Sequence, residues 1–126
     1  MSHQGYYRYP TIHENHIIFV SEDDLWSVPA DGGTAVRLTA NLGEISYPRF
    51  SPDGKWVAFV GKDEGSQEVY VMPAEGGESK RLTFAGNTLL RIVGWSDDGE
   101  KIIFAGNRGQ AFMKMMRLFE ISKDGG

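Results

Sequence analysis

The 126 residues are 40% hydrophobic, 24% charged and 12% aromatic, the material of one domain with a core of its own. A net charge of −4, with acidic and basic residues interspersed, argues against a nucleic-acid or anionic-membrane surface. The absence of cysteine excludes disulfides, thiolate metal sites and cysteine nucleophiles, and points to a reducing cytoplasm.

Met1 to Pro10, "MSHQGYYRYP", lacks the apolar core of a signal peptide. Aliphatic runs such as "IIFV" at 17–20 are far too short to span a bilayer. From Tyr9 onward one pattern is written three times. It reads "YPTIHENHIIFVSEDDLWSVPADGGTAVRLT" at 9–39, then "YPRFSPDGKWVAFVGKDEGSQEVYVMPAEGGESKRLT" at 47–83, then "VGWSDDGEKIIFAGNRGQAFMKMMRLFEISKDGG" at 93–126. Phe19, Phe59 and Phe104 share one equivalent position, and Trp26, Tyr70 and Phe119 another. Their spacing of 40 to 49 residues is that of propeller blades.

Each repeat predicts strands. "DLWSVP", "WVAFVG", "EVYVMP" and "KIIFAG" are short, rich in β-branched and aromatic residues, and bounded by turn residues. Their nearly continuous apolar content suits sheets covered on both faces. Asp53-Gly54 and Asp98-Gly99 are expected to close hairpins between the first two strands of their repeats, and Gly32-Gly33 and Gly76-Gly77 to precede fourth strands at "AVRLT" and "SKRLT". No stretch carries a capped period of 3.6. The expected fold is all-β: a partial propeller of about three four-stranded antiparallel blades, with the last incomplete. Blade one is placed at about 6–39, blade two at about 46–83 and partial blade three at about 91–126, all in one segment, 1–126.

Propellers close with about four to eight blades, so three describe an arc. An arc leaves an uncovered face at each end, and here "MKMMRLFEI" at 113–121 is expected as an open edge strand. The faces are expected to meet either the remaining blades of a longer chain or a second copy, two arcs closing a six-bladed ring.

Few residues suggest chemistry. There is no G-x-S-x-G, P-loop, G-x-G-x-x-G or H-E-x-x-H. His13, Glu14 and His16 form "HENH", but two rings on a strand and turn without a third ligand fall short of a zinc site, so the stretch is expected to be a polar hairpin. The acidic runs at 21–24, 62–65 and 96–99 lack calcium-loop spacing and fall in turns. Arg108, Phe112, Lys114 and Arg117 have a faint single-strand-binding flavour, which the net negative charge opposes. Ser51 and Ser96 have neighbouring aspartates, but nothing places a histidine beside either. No catalytic constellation, metal site or cofactor site is expected.

The run filled by Ile12, His13, Ile17, Ile18, Phe19, Val20, Asp23, Asp24, Leu25 and Trp26 resembles the opening of tricorn-type proteases, and "NLGEISYPRFSPDGKWVAF" at 41–59 and "AGNRGQAFMKMMRLFEISKDGG" at 105–126 follow in the expected order. The SPDG hairpin alone is less specific, being shared with TolB-type and prolyl-oligopeptidase-type propellers. The resemblance implies the first half of a six-bladed amino-terminal propeller in a large oligomeric serine peptidase. There the propellers guide short peptides, no cofactor is needed, and the catalytic serine and histidine lie far downstream. The family holds the peptide carboxyl end with a basic pair before the third blade. Here the loop "TFAGNTLLRIVGW" at 83–95 is shortened and carries only Arg91, the one candidate for a substrate contact; the plainer expectation is a solvated strand-edge arginine. The alternative function is a stand-alone TolB-like propeller docking protein partners. That kind carries a leader and an α/β domain ahead of its blades, whereas here the first repeat starts within ten residues of Met1. A propeller gate of a prolyl-oligopeptidase-like enzyme fits the opening run less well.

Overall fold

The computed structural model describes residues 8–40, 42–62, 65–84, 86, 89–107 and 116–125. Every described element is a strand, and the strands form three antiparallel sheets in chain order. The first holds β1 (Arg8–His13), β2 (His16–Ser21), β3 (Asp24–Pro29) and β4 (Val36–Arg37). The second repeats it with β5 (Ser46–Phe50), β6 (Trp56–Gly61), β7 (Glu68–Pro73) and β8 (Lys80–Arg81). The third holds β9 (Leu90–Trp95), β10 (Lys101–Gly106) and β11 (Arg117–Ser122). These are successive blades of a propeller, two of four strands and one of three.

The hairpins close on local chemistry. In the turn after β5, the Ser51 hydroxyl donates to Asp53 at 2.6 Å and accepts from the Trp56 amide at 3.1 Å, while the Lys55 amide donates to Asp53 at 3.0 Å. Ser96, Asp98, Glu100 and Lys101 repeat this after β9. The serine bond first, then the amide, hold the Asp53 and Asp98 carboxyls below their usual range. Gly54 and Gly99 take φ of 76° and 73°, the left-handed region that favours glycine.

Alternation along the strands then builds the core. On β6 and β7, Val57, Phe59, Tyr70 and Met72 point to one side, where they pack with Ile18, Val20 and Leu25 of the first sheet. Ala58, Val60, Val69 and Val71 point to the other side and pack with Leu90, Ile92, Ile102 and Phe104 of the third. The middle sheet is therefore buried on both faces, the reason its strands read as unbroken apolar runs. The equivalent aromatics are direct cross-strand partners: Phe19 with Trp26, Phe59 with Tyr70, and Phe104 with Phe119. The second and third pairs stack at centroid distances of 5.6 and 5.5 Å.

Two expectations need correction. The fourth strands are shorter than "AVRLT" and "SKRLT": only Val36–Arg37 and Lys80–Arg81 pair as strand. The following threonines turn their side chains to the sheet instead. The Leu25 amide donates to the Thr39 hydroxyl, which donates to the Asp24 carboxylate at 2.8 Å. The Val69 amide and Glu68 hold Thr83 in the same way. Arg37 pairs with Asp24 at 2.9 Å and Arg81 with Glu68 at 3.4 Å. Each threonine thus adds a side-chain tie where the ladder of the short strand ends. The second correction concerns the edge strand: among the described residues it runs Arg117–Ser122, with Met116 ahead of it not in strand, while Met113 to Met115 lie outside the described residues. Its pairing puts Arg117 opposite Gly106, the place that Asp24 and Glu68 hold opposite Ser21 and Gly61.

Exposure separates the two clamps. Glu68 is 1% exposed, whereas Arg37 keeps 51% of its side chain in water. Thr83→Val, which leaves the Val69 amide and Glu68 short of a partner, is expected to cost about 1–3 kcal/mol. Arg37→Ala is expected to cost about 0–1 kcal/mol, as for exposed pairs. Urea unfolding of the two variants checks the contrast. A Cβ at Gly54 would stand 2.2 Å from His13 Nδ1, while at Gly99 its nearest neighbour is Pro52 Cδ at 3.6 Å. Gly99→Ala therefore bears only the backbone strain of about 1–2 kcal/mol, and Gly54→Ala is expected to lose more and shift the His13 ring resonances.

Candidate functional site

The first strands of the three sheets lie side by side, β1 against β5 and β5 against β9. Arg8 pairs across to Val20, Ser46 to Val60 and Arg91 to Ala105, so these three residues occupy one level of neighbouring strands. At that level Tyr9 and Tyr47 take φ of 53° and 54°, and the register of both β1 and β5 shifts just after them. The resulting bulges bring the two rings to 4.7 Å between centroids. Burial, and next the charge of neighbouring Tyr47, push the Tyr9 phenol up from its ordinary value of 10.0.

Both arginines lie on this aromatic pair. The Arg8 guanidinium sits 5.6 Å from the Tyr9 ring centroid and that of Arg91 5.5 Å from the Tyr47 centroid. Arg91 is exposed and borders a cleft of about 290 Å³ with Tyr9, Glu44, Ser46, Tyr47 and Lys62. Among the described residues its charge makes no ion pair with a carboxylate. Arg91 thus sits exposed on β9, an edge strand of its sheet, its guanidinium placed over an aromatic ring beside an open cleft. A planar guanidinium held this way can receive a carboxylate in two parallel hydrogen bonds.

The other sequence candidates sit elsewhere. The Ser51 and Ser96 hydroxyls are engaged within their own turns, and no described histidine bonds either. His16 Nε2 lies 2.6 Å from the Ser27 hydroxyl, and the His13 and His16 rings both rest on Phe50, at 5.9 and 5.0 Å. The expected polar hairpin is there, His13 pairing with His16 around the exposed Glu14–Asn15 turn, and its two rings also reach Phe50 of the second sheet. Among the described residues no three His, Asp or Glu side chains gather in a metal-binding group. Phe112 and Lys114 lie outside the described residues, as does Arg108. The Tyr9–Tyr47 pair escaped the sequence reading; its signal is the Tyr-Pro dipeptide opening both of the first two repeats.

The chain matches the family described as the tricorn protease N-terminal β-propeller domain over residues 4–126. It is 39% identical over 122 residues to tricorn protease homolog 1 of Streptomyces coelicolor, covering 97% of this chain and 11% of that protein. It thus spans about a tenth of that relative's length. The crystal structure of the tricorn protease superposes with a TM-score of 0.80 at 31% identity, covering 94% of this chain and 12% of that one. TolB from Acinetobacter baumannii superposes with a TM-score of 0.76 at 24% identity, covering 97% and 31%, a likeness of fold alone.

Desolvation is the chief cause that draws the His16 pKa below 6.5, with His13 adding to it and Glu75 opposing. The folded state therefore binds the proton less readily than the unfolded one. Stability contributed by neutral His16 is present above pH 6.5 and is lost as pH falls through that value. His16→Asn is expected to flatten the slope of melting temperature against pH between about 7.5 and 5.5; an unchanged slope would place the titration elsewhere.

Proposed function

The chain belongs to the tricorn protease N-terminal β-propeller family, and from that premise we infer that it is a non-catalytic propeller segment of a tricorn-type serine peptidase, lining part of a passage that guides peptides to or from a protease core. Arg91 is the residue we assign to the peptide, receiving its terminal carboxylate over the Tyr47 ring. One observation carries this reading: an exposed guanidinium, seated on an aromatic ring at the border of a cleft, with no ion pair to a carboxylate among the described residues. Arg8, at the same level two strands away, adds positive charge to the approach. The reading carries a cytoplasmic location with it, in keeping with a chain free of cysteine. Among the described residues no helix is long and apolar enough to cross a membrane. The likeness to TolB, being of fold alone, supplies no second reading.

Titration of the chain with short peptides, followed by the Tyr9 and Tyr47 ring resonances, tests the assignment. Peptides with a free carboxyl end are expected to shift these resonances, and the same peptides amidated at that end are not. Arg91→Ala is expected to weaken binding by about ten- to a hundredfold, the loss of one charged hydrogen-bonding pair at about 1.5–3 kcal/mol. Equal binding of free and amidated peptides would remove Arg91 from the role. Incubated with fluorogenic peptides, the chain is expected to release no fluorophore.

A further inference from the structure

The two seams inside this chain end differently. Where the second sheet meets the third, Trp56 and Trp95 both pack against the shared core, and the Trp95 indole N–H donates to the Arg49 carbonyl at 3.0 Å. Trp56 opens β6 and pairs with Pro73, the proline that ends β7. In the first sheet the same register position, opposite Pro29 at the end of β3, belongs to His16. Its direct partner across the hairpin is His13. A pair of imidazoles, the side chains that change charge near neutral pH, thus stands where the next blade has an indole that does not titrate.

The pair also fastens one sheet to the next. Both rings lie against Phe50, and the His13 ring covers Gly54 so closely that a Cβ there would run into it. Beside them the Phe50 amide donates across the seam to the Thr11 hydroxyl at 3.5 Å, a long bond. The rest of the seam is the apolar core around Ile18, Val20, Leu25 and Phe59. The charged groups facing the pair are Glu14 on its own turn, Asp53 and Lys55 in the turn after β5, and Glu75 beyond β7. Asp53 is already engaged by Ser51 and the Lys55 amide. Glu75 favours a proton on His16, but burial first, and then His13, outweigh it. Once both rings are charged, like charges stand directly opposite each other across the hairpin, an arrangement that destabilises a strand pair.

We propose that this hairpin is an acid-released clasp. When His13 and His16 take up protons, the turn that joins β1 to β2 lifts from Phe50 and Gly54, while the core of that seam and the whole of the next stay closed. β1 runs from Arg8 to His13, so the end that loosens is the one remote from Tyr9 and Tyr47. The proposal is independent of the peptide reading, since neither Arg91 nor its cleft enters it.

Hydrogen exchange at two donors tests it, because each bonds across a different seam: the Phe50 amide to Thr11 and the Trp95 indole to Arg49. Between about pH 7.5 and 5.5 the protection factor of the Phe50 amide is expected to fall about two- to fivefold, with that of the Trp95 indole unchanged. His16→Trp, which copies the second sheet, and His13→Asn, which removes one of the facing charges, are each expected to keep Phe50 protection level over the same range. An unchanged Phe50 amide in the parent chain would overturn the proposal. Equal losses at both donors would overturn it too, since acid would then be loosening every seam. A pH response that survives in both variants would assign it to Glu14, Asp53 or Glu75 and remove the histidines from the role. Should His16→Trp fail to fold, the parent chain and His13→Asn decide the matter.

Discussion

A sheet has two faces, and in this chain both are apolar. Everything else follows from that constraint. Side chains alternate along a strand, so the residues that make β6 hydrophobic send Val57 and Phe59 one way and Ala58 and Val60 the other. Burying a large apolar side chain is worth about 1.5–3 kcal/mol. No lone blade gains that on both sides. Stacking supplies it, and the middle sheet, covered front and back, shows what each blade requires. The hairpins and threonine clamps are then local devices that close each sheet on itself.

Much of this was legible because the chain repeats itself. Phe19, Phe59 and Phe104 could be aligned without any coordinates, and so could Trp26, Tyr70 and Phe119; the structure pairs the two series across neighbouring strands. Turn chemistry was equally plain, since a serine, an aspartate and a glycine close their own loop whatever surrounds them. What lay out of reach depends on register. Asp24 with Thr39, and Glu68 with Thr83, are each 15 residues apart, and nothing short of knowing which strands pair brings them together. The His16–Phe50 contact crosses between blades and is further still from view.

The candidate site shows the same division. Arg91 could be singled out by type and place, but its orientation rests on Tyr47, whose positive φ no propensity of tyrosine foretells. The bulge at Tyr47 and its twin at Tyr9 convert an ordinary strand edge into a paired aromatic floor. An arginine over such a floor loses less freedom on binding than one waving in solvent, which is why geometry rather than charge alone distinguishes it. Net charge would have pointed the other way, since the chain as a whole is acidic.

Near-identical repeats carry a hazard during folding, because the closing strand of one blade fits the open edge of another. Asp24 and Glu68 each welcome an arginine from the strand that completes their sheet, and between those two blades the code is interchangeable. Arg117 stands at the corresponding place in the third sheet. A stray "RLT" segment arriving there would set guanidinium against guanidinium. The third sheet therefore lacks, at this position, the carboxylate that the first two offer such an arginine.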